Sequence, residues 1–135
     1  MNIQNILLVD DDASIRMIAE ISLSRVGHWN VIQAESGVKA LDILEKMEPG
    51  QPDLILLDVM MPGTDGLTMF RLLRENPKTA QIPVIFMTAK VQKQEVLSYY
   101  QLGASGVIIK PFDPLALPKE IENILGKGVS STCPK

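Results

Sequence analysis

The sequence predicts an α/β fold in which a parallel sheet carries helices on both faces, and three observations lead to this prediction. Short apolar runs alternate with segments of helical periodicity along most of the chain. The run Leu54 to Leu57 has no polar break, which is typical of a strand buried on both faces. Three such runs end on polar side chains, at Asp10, Asp58 and Thr88.

Five apolar runs have the length and composition of strands. Parallel strands are joined by right-handed crossovers, so the intervening helices can cover both faces of the sheet. The predicted strands are Asn5 to Val9, Val31 to Ala34, Leu54 to Leu57, Pro83 to Met87 and Gly106 to Ile109.

The segments between these strands carry residues that start and stop helices. Asp12, Ser36 and Asp113 are the expected N-caps. Gly27 and Gly103 are the expected helix ends. The predicted helices run from Asp12 to Val26, from Ser36 to Met47, from after Gly66 to before Asn76, from Val91 to Leu102, and from Asp113 to Leu125.

The end of the chain departs from this alternation. Pro118 lies deep in the first turn of the last predicted helix and should delay or bend it. The segment from Gly126 to Lys135 has no apolar periodicity, so it is predicted to be a flexible tail. The sequence thus predicts one domain over residues 1–125 and a tail over residues 126–135.

Composition excludes several classes of protein. A chain of 135 residues with 46% apolar content fits one globular domain. A formal charge of -3 disfavours a nucleic-acid surface. No apolar run approaches the ~20 residues of a membrane span, and the amino terminus lacks the features of a signal peptide. A cytoplasmic location is therefore predicted.

The chain has one histidine and one cysteine. His28 lies in a predicted helix-to-strand connection, where a structural role is expected, and Cys133 lies in the predicted tail. Zinc sites and Ser-His or Cys-His nucleophile systems are thereby excluded. Any chemistry must come from carboxylates.

Five polar residues fall at the carboxyl ends of predicted strands, and these ends meet at one end of a parallel sheet. Two unit charges ~5 Å apart repel by roughly 3 kcal/mol at an effective dielectric near 20, so a group of carboxylates needs a cation. Ligation by oxygen suits Mg²⁺, or Mn²⁺ in its place. The five residues are Asp10, Asp11, Asp58, Thr88 and Lys110.

This set has a chemical use beyond holding a metal. An aspartate can attack a phosphoryl donor, while a metal and an ammonium neutralise the charge on the transferred oxygens. Taken singly, each residue has an ordinary explanation: an acidic run caps a helix, a threonine ends a strand, and a lysine is a surface charge. Their convergence at one end of the sheet indicates phosphoryl chemistry.

Four segments resemble the signature segments of the response-regulator receiver family of two-component signalling, and in particular its chemotaxis-type single-domain members. They are LLVDDDASIR, PDLILLDVMMPGTDGL, PVIFMTAK and GVIIKPF. The resemblance covers roughly Asn5 to Leu125. It implies a flavodoxin-like doubly wound sheet of five strands in the order 2-1-3-4-5.

The resemblance also implies a role for each acidic residue. Asp58 would be the phosphoacceptor of a switch that catalyses only its own phosphorylation and dephosphorylation. Asp10 and Asp11 would form the acidic pair of the metal site. Asp11, Asp58 and the backbone carbonyl of Met60 would be direct Mg²⁺ ligands.

Thr88 and Lys110 would contact the phosphoryl group, and the Lys110-Pro111 peptide bond would be cis. Many family members have an aromatic switch residue in the last strand, where this chain has Val107. We therefore expect the switch to act through the 88–90 loop and the predicted helix from Val91 to Leu102.

The implied donor of the phosphoryl group is a histidine kinase or a histidine phosphotransfer protein. The implied output is a protein partner on the face formed by the fourth helix, fifth strand and fifth helix, with neither nucleic acid nor membrane involved. The protein would be a monomer or a phosphorylation-dependent dimer. Tyr99 and Tyr100 are equally suited to contacting a partner or to packing in the core.

Three other interpretations compete with this one, and the sequence disfavours the first two. A dehalogenase-like phosphohydrolase would need a second aspartate two residues after Asp58, where Met60 stands. A flavin-binding module would need a phosphate-binding loop where Asp10, Asp11 and Asp12 lie. The third keeps the fold and takes the chain as a receiver cut from a longer protein.

Overall fold

The computed structural model describes residues 3–47, 51–60, 66–89 and 92–130 of the chain. Within this part, five parallel strands form one sheet in the order β2-β1-β3-β4-β5, which confirms the predicted fold class and strand order. The strands are β1 (Asn5–Val9), β2 (Asn30–Ala34), β3 (Leu54–Asp58), β4 (Val84–Thr88) and β5 (Gly106–Ile109).

Helices connect successive strands and cover the two faces of the sheet. A short π-helical turn, Ser22–Val26, continues the first of them. The α-helices are α1 (Ala13–Ile21), α2 (Gly37–Lys46), α3 (Gly66–Glu75), α4 (Lys93–Leu102) and α5 (Leu117–Ser130).

Two apolar layers hold the sheet between the helices, because successive strand residues point to opposite faces. On one face, Leu7, Leu57 and Phe86 belong to the core beneath α2, α3 and α4. On the other face, Leu8 and Leu56 belong to the core beneath α1 and α5. All five residues of β3 are buried, as the unbroken apolar run predicted.

The predicted caps form as expected. Asp12 accepts hydrogen bonds from the backbone nitrogens of Ser14 and Ile15 at the start of α1. The Ser36 side chain accepts a hydrogen bond from the backbone nitrogen of Lys39 at the start of α2. Gly103 ends α4 with φ +112°, a left-handed conformation that favours glycine.

The last helix begins late, as Pro118 predicted. Asp113 accepts a hydrogen bond from the backbone nitrogen of Leu115, and a turn precedes the start of α5 at Leu117. Pro118 then lies in the first turn of α5, where its missing N–H costs nothing.

The first predicted helix extends to Gly27 as expected, but its last five residues form a π-helical turn instead of an α-helix. Helix α1 stops at Ile21, and the π-helical turn carries the chain to Gly27. The backbone nitrogen of Gly27 bonds to the carbonyl of Ser22, five residues earlier, at 3.1 Å. A Cβ on Gly27 would lie 2.8 Å from the carbonyl oxygen of Leu23, so only glycine fits this close turn.

The predicted tail overlaps the end of the last helix. Helix α5 continues to Ser130, through the first five residues of the segment predicted to be flexible. Glycines at 126 and 128 weaken a helix but do not end it, since each keeps its backbone N–H. Residues 131–135 lie outside the described part of the chain, and the division into domain and tail stays a prediction.

Candidate metal and phosphoryl site

Asp58 ends β3 and is buried. Its Oδ1 accepts a hydrogen bond from the backbone nitrogen of Met60 at 3.2 Å. The start of α3 closes over this strand end, because the backbone nitrogen of Gly66 donates to the carbonyl of Val59 at 3.0 Å. A Cβ on Gly66 would lie 2.4 Å from the carbonyl oxygen of Asp58, so this approach requires glycine.

Asp10 follows β1 and is fully buried. One carboxylate oxygen accepts a hydrogen bond from the backbone nitrogen of Asp12 at 2.9 Å. The backbone nitrogen of Asp10 donates to the carbonyl of Ala34, so the residue stays joined to β2. Asp11 is exposed. The acidic pair therefore has one buried member and one that faces solvent.

Lys110 joins the ends of two strands. Its Nζ lies 2.8 Å from Asp10 Oδ2 and 3.3 Å from Asp58 Oδ1. The lysine side chain is 16% exposed, and the two carboxylates are almost completely buried. A single ammonium thus faces two buried carboxylates and balances only one negative charge. The Lys110-Pro111 peptide bond is cis, as the resemblance implied.

Thr88 ends β4 beside this lysine. It is buried and pairs with Ile109 of β5. The backbone nitrogen of Lys110 donates to the carbonyl of Thr88 at 2.8 Å. The sheet therefore gathers all five predicted site residues at one end, and we call Asp10, Asp11, Asp58, Thr88 and Lys110 the carboxyl-end cluster.

The charges in this cluster perturb one another. Burial and, next, the charge of Asp10 raise the pKa of Asp58 to about 6, although Lys110 and the backbone of Met60 act in the opposite direction. Burial alone would lower the pKa of Lys110, but its hydrogen bond to Asp10 and the charges of Asp10 and Asp58 raise it. Asp58 is thus poorly stabilised as an anion until more positive charge arrives.

The donor set fits a hard divalent cation. One carboxylate oxygen from each of Asp10, Asp11 and Asp58 lies within 4.8 Å of the others. Carboxylates with open access for water are the ligands that Mg²⁺ prefers. The exposed Asp11 leaves one side of the site open to solvent.

Val107 lies in the middle of β5 opposite Phe86 and is partly buried against the core. Tyr99 of α4 is buried and packs edge-on against Phe86, with ring centroids 5.3 Å apart. Tyr100, its neighbour, is 47% exposed. The two tyrosines therefore have different environments, one in the core and one at the surface.

Sequence reasoning missed Arg16 of α1. Its Nη1 donates to the backbone carbonyl of Asp10 at 2.7 Å. The signal was present in the segment LLVDDDASIR, where an arginine follows the aspartates within about one and a half turns of helix. Its partner in the fold could not be read from that spacing.

The fold and the cluster define a class of protein, a doubly wound α/β domain with an acidic, lysine-bridged site at the carboxyl end of its sheet. A family model described as the response regulator receiver domain matches residues 6–122. The chain therefore belongs to the response regulator receiver family of two-component signalling.

Its relatives include both short and long proteins. The chain is 36% identical over 123 residues to a chemotaxis protein CheY homolog of Campylobacter jejuni, covering 91% of this chain and 93% of that protein. It is 38% identical to the transcriptional regulatory protein AfsQ1 of Streptomyces coelicolor, covering 92% of this chain but 52% of that protein.

Solved structures agree with the fold. The chemotaxis response regulator CheY4 of Vibrio cholerae matches with a TM-score of 0.81 at 28% identity, covering 91% of this chain and 99% of that one. Among the described residues, no helix has the length and apolar content needed to cross a bilayer. A cytoplasmic location stays a prediction.

Proposed function

We propose that this protein is a phosphorylation-activated receiver in which Asp58 accepts a phosphoryl group in a Mg²⁺-dependent reaction. One observation carries the proposal: Lys110 lies within 3.3 Å of both buried carboxylates, beside a third that faces solvent. Structural ion pairs neutralise charge, whereas the three carboxylates and one lysine of the carboxyl-end cluster keep an excess of negative charge at a partly buried site.

The donor is a histidine kinase or a histidine phosphotransfer protein. A carboxylate oxygen of Asp58 attacks the phosphorus atom, the bond from phosphorus to the histidine nitrogen breaks, and the imidazole keeps the electron pair and takes up a proton. The product is an acyl phosphate on Asp58. Bound Mg²⁺ would supply positive charge for the phosphoryl oxygens.

The chain's own residues prepare this transfer. The backbone nitrogen of Met60 orients the carboxylate of Asp58. In this proposal, Asp10, Asp11, Asp58 and the carbonyl of Met60 hold the metal. Lys110 leaves Asp58 for the arriving phosphoryl oxygens while it remains bonded to Asp10, and the Thr88 hydroxyl donates to another of these oxygens.

The test is intact-mass spectrometry after incubation with a small acyl phosphate, in the presence of Mg²⁺ or a chelator. We expect one base-labile phosphoryl adduct that requires Mg²⁺ and is lost in Asp58→Asn. Asp53→Asn is a matched control, because Asp53 lies at the other end of β3 and bonds to the backbone nitrogens of Gln4 and Asn5. An adduct that persists in Asp58→Asn would overturn the assignment.

We further propose that phosphorylation is read out through α4 instead of β5. Val107 has a small, stiff side chain, whereas Tyr99 connects α4 to Phe86, two residues before Thr88 in β4. A movement of Thr88 towards the phosphoryl group would therefore act on the strand against which α4 packs. The predicted loop residue Lys90 and helix start Val91 lie outside the described residues.

Hydrogen exchange with and without a beryllofluoride phosphoryl mimic tests this readout. We expect altered protection in residues 88–102, a smaller change in Tyr99→Leu, and the full change in Tyr100→Leu, whose side chain faces solvent. Equal protection across residues 88–102 in both states would overturn it.

The proposed output face comprises α4, β5 and α5. Among the described residues of this face, four large apolar side chains are exposed, namely Leu97, Tyr100, Leu102 and Ile109. Exposed apolar groups of this kind suit a protein partner better than a polynucleotide. Sedimentation velocity with and without the phosphoryl mimic distinguishes a constant monomer, with a separate partner, from a phosphorylation-dependent dimer.

A further inference from the structure

A second polar network lies beside the carboxyl-end cluster. Arg16 donates from Nη1 to the backbone carbonyl of Asp10 at 2.7 Å and from Nε to the Gln33 side chain of β2 at 3.2 Å. Gln33 in turn donates to the carboxylate of Glu20, one turn further along α1. The guanidinium is therefore held from two sides, by the end of β1 and by β2.

The carbonyl that Arg16 binds has left the sheet. Strand β1 ends at Val9, and the backbone nitrogen of Asp10 still donates to Ala34. The carbonyl of Asp10 needs a partner where it turns towards α1. The planar peptide bond joins this carbonyl to the nitrogen of Asp11, so fixing one fixes the direction in which the other leaves the strand.

We propose that Arg16 is a positioning residue of the metal site. It holds the peptide plane between Asp10 and Asp11, and through it the direction of the Asp11 carboxylate relative to Asp58. This inference rests on the proposed function, which gives that carboxylate its metal. The planar guanidinium is suited to the task because it donates in two fixed directions, whereas a lysine ammonium would hold only one partner firmly.

The charge of Arg16 and its hydrogen bonds have opposite effects on Mg²⁺ binding. A guanidinium near the site repels a divalent cation, so removing the charge alone would tighten binding. Loss of the hydrogen bonds would weaken binding, because Asp11 would lose its fixed direction within a group spanning 4.8 Å. Weaker Mg²⁺ binding after removal of Arg16 therefore indicates that its hydrogen bonds position Asp11, whereas tighter binding indicates that only its charge acts on the site.

Isothermal titration calorimetry of the unphosphorylated protein with Mg²⁺ makes the measurement. Removing a partner that orients a metal ligand typically weakens affinity by about 10-fold or more. We expect the Mg²⁺ affinity to fall about tenfold in Arg16→Met. It should fall less in Gln33→Met, which changes no charge, and Arg16→Lys should recover part of the affinity lost in Arg16→Met. Arg74→Met is the matched control, because Arg74 binds the carbonyls of Ala80 and Ile82 away from the cluster. The Mg²⁺ affinity of this variant should equal that of the wild-type protein.

Unchanged or tighter Mg²⁺ binding in folded Arg16→Met overturns the inference and leaves the proposed function intact. If Arg16→Met fails to fold, Gln33→Met and Arg16→Lys decide: wild-type affinity in both overturns the inference. Absence of Mg²⁺ binding in the wild-type protein would overturn the proposed metal site as well.

Discussion

The two ends of the sheet both carry charged side chains but use them differently. At the amino end, Asp53 binds the backbone nitrogens of Gln4 and Asn5, and Arg74 binds the carbonyls of Ala80 and Ile82. Each charge there meets a backbone group of complementary polarity. These contacts join Asp53 to the start of β1 and α3 to the segment before β4.

At the carboxyl end, like charges are brought together instead. Asp10 and Asp58 are buried and share one ammonium, and Asp11 lies within reach of both. Burial then raises the pKa of Asp58 to about 6. The named charges at the amino end bind complementary backbone groups, whereas those at the carboxyl end include like charges that repel one another, and this crowding supports the proposed metal and phosphoryl site.

The largest expected effect is that of Lys110→Met without metal. The variant leaves two buried carboxylates without their cation, and losing one partner of a buried ion pair costs about 3 kcal/mol. Urea unfolding with a chelator at neutral pH measures the loss. Lys46→Met is the control, because the Lys46–Asp42 pair is exposed and should contribute no more than ~0.5 kcal/mol. Equal losses of unfolding free energy in the two variants would contradict the difference between the buried charges of the carboxyl-end cluster and an exposed ion pair.

Bound Mg²⁺ should offset the repulsion among the carboxylates of the carboxyl-end cluster and so stabilise the folded protein. Because a metal at this site binds the native state, a hundredfold excess over its dissociation constant raises the unfolding free energy by ~2.7 kcal/mol. Thermal melting of the wild-type protein with Mg²⁺ or chelator measures this. A midpoint unaffected by millimolar Mg²⁺ would argue against the metal site.

The pH dependence of stability should change in Asp58→Asn. The folded-state pKa of Asp58 is about 6 and its ordinary value is 3.8, so the native state holds the proton more tightly between these values. Its contribution to stability therefore falls as the pH rises through this window and is lowest above pH 6. The side-chain amide in Asp58→Asn does not ionise, so the variant avoids this loss of stability. Without metal at neutral pH, the unfolding free energy of the variant should exceed that of the wild-type protein by roughly 2 kcal/mol.

Urea unfolding of both proteins across this pH range, in chelator, checks the prediction. The difference between wild type and variant isolates Asp58 from the other carboxylates. A difference that stays constant from pH 4 to pH 7 would contradict it.

The smallest expected effect is at the amino end. Arg74→Met removes two hydrogen bonds to loop carbonyls and a cation lying 4.5 Å above the ring of Phe70. We expect a loss of about 1.5 kcal/mol in unfolding free energy, measured by urea unfolding, with phosphorylation by the small acyl phosphate unchanged. A slower reaction in this variant would mean that the two ends are coupled.

The sequence was sufficient for the elements that depend on local patterns. Strands β1 and β5 and the caps Asp12 and Ser36 match their predictions, because apolar runs and capping residues act within a few positions. The gathering of the carboxyl-end cluster could be predicted because parallel strands bring their carboxyl ends together, whereas the role of each residue in it stays a prediction.

Features that depend on packing could not be predicted. The π-helical turn after Ile21 depends on the close approach of Gly27 to Leu23. The environments of Tyr99 and Tyr100 depend on which way α4 rotates against Phe86. A side-chain network between α1 and β2 has no local pattern from which it could be recognised.

Locating the phosphoryl group tests the proposed role of Asp58 most directly. Borohydride reduces an acyl phosphate on aspartate to homoserine, which tandem mass spectrometry assigns to one residue. After reaction with a small acyl phosphate and Mg²⁺, we expect homoserine at position 58 alone, and none with chelator. Homoserine at Asp10, Asp11 or the amino-end Asp53, or none in folded protein with Mg²⁺, would contradict the claim that the crowded carboxyl end exists for phosphoryl transfer to Asp58.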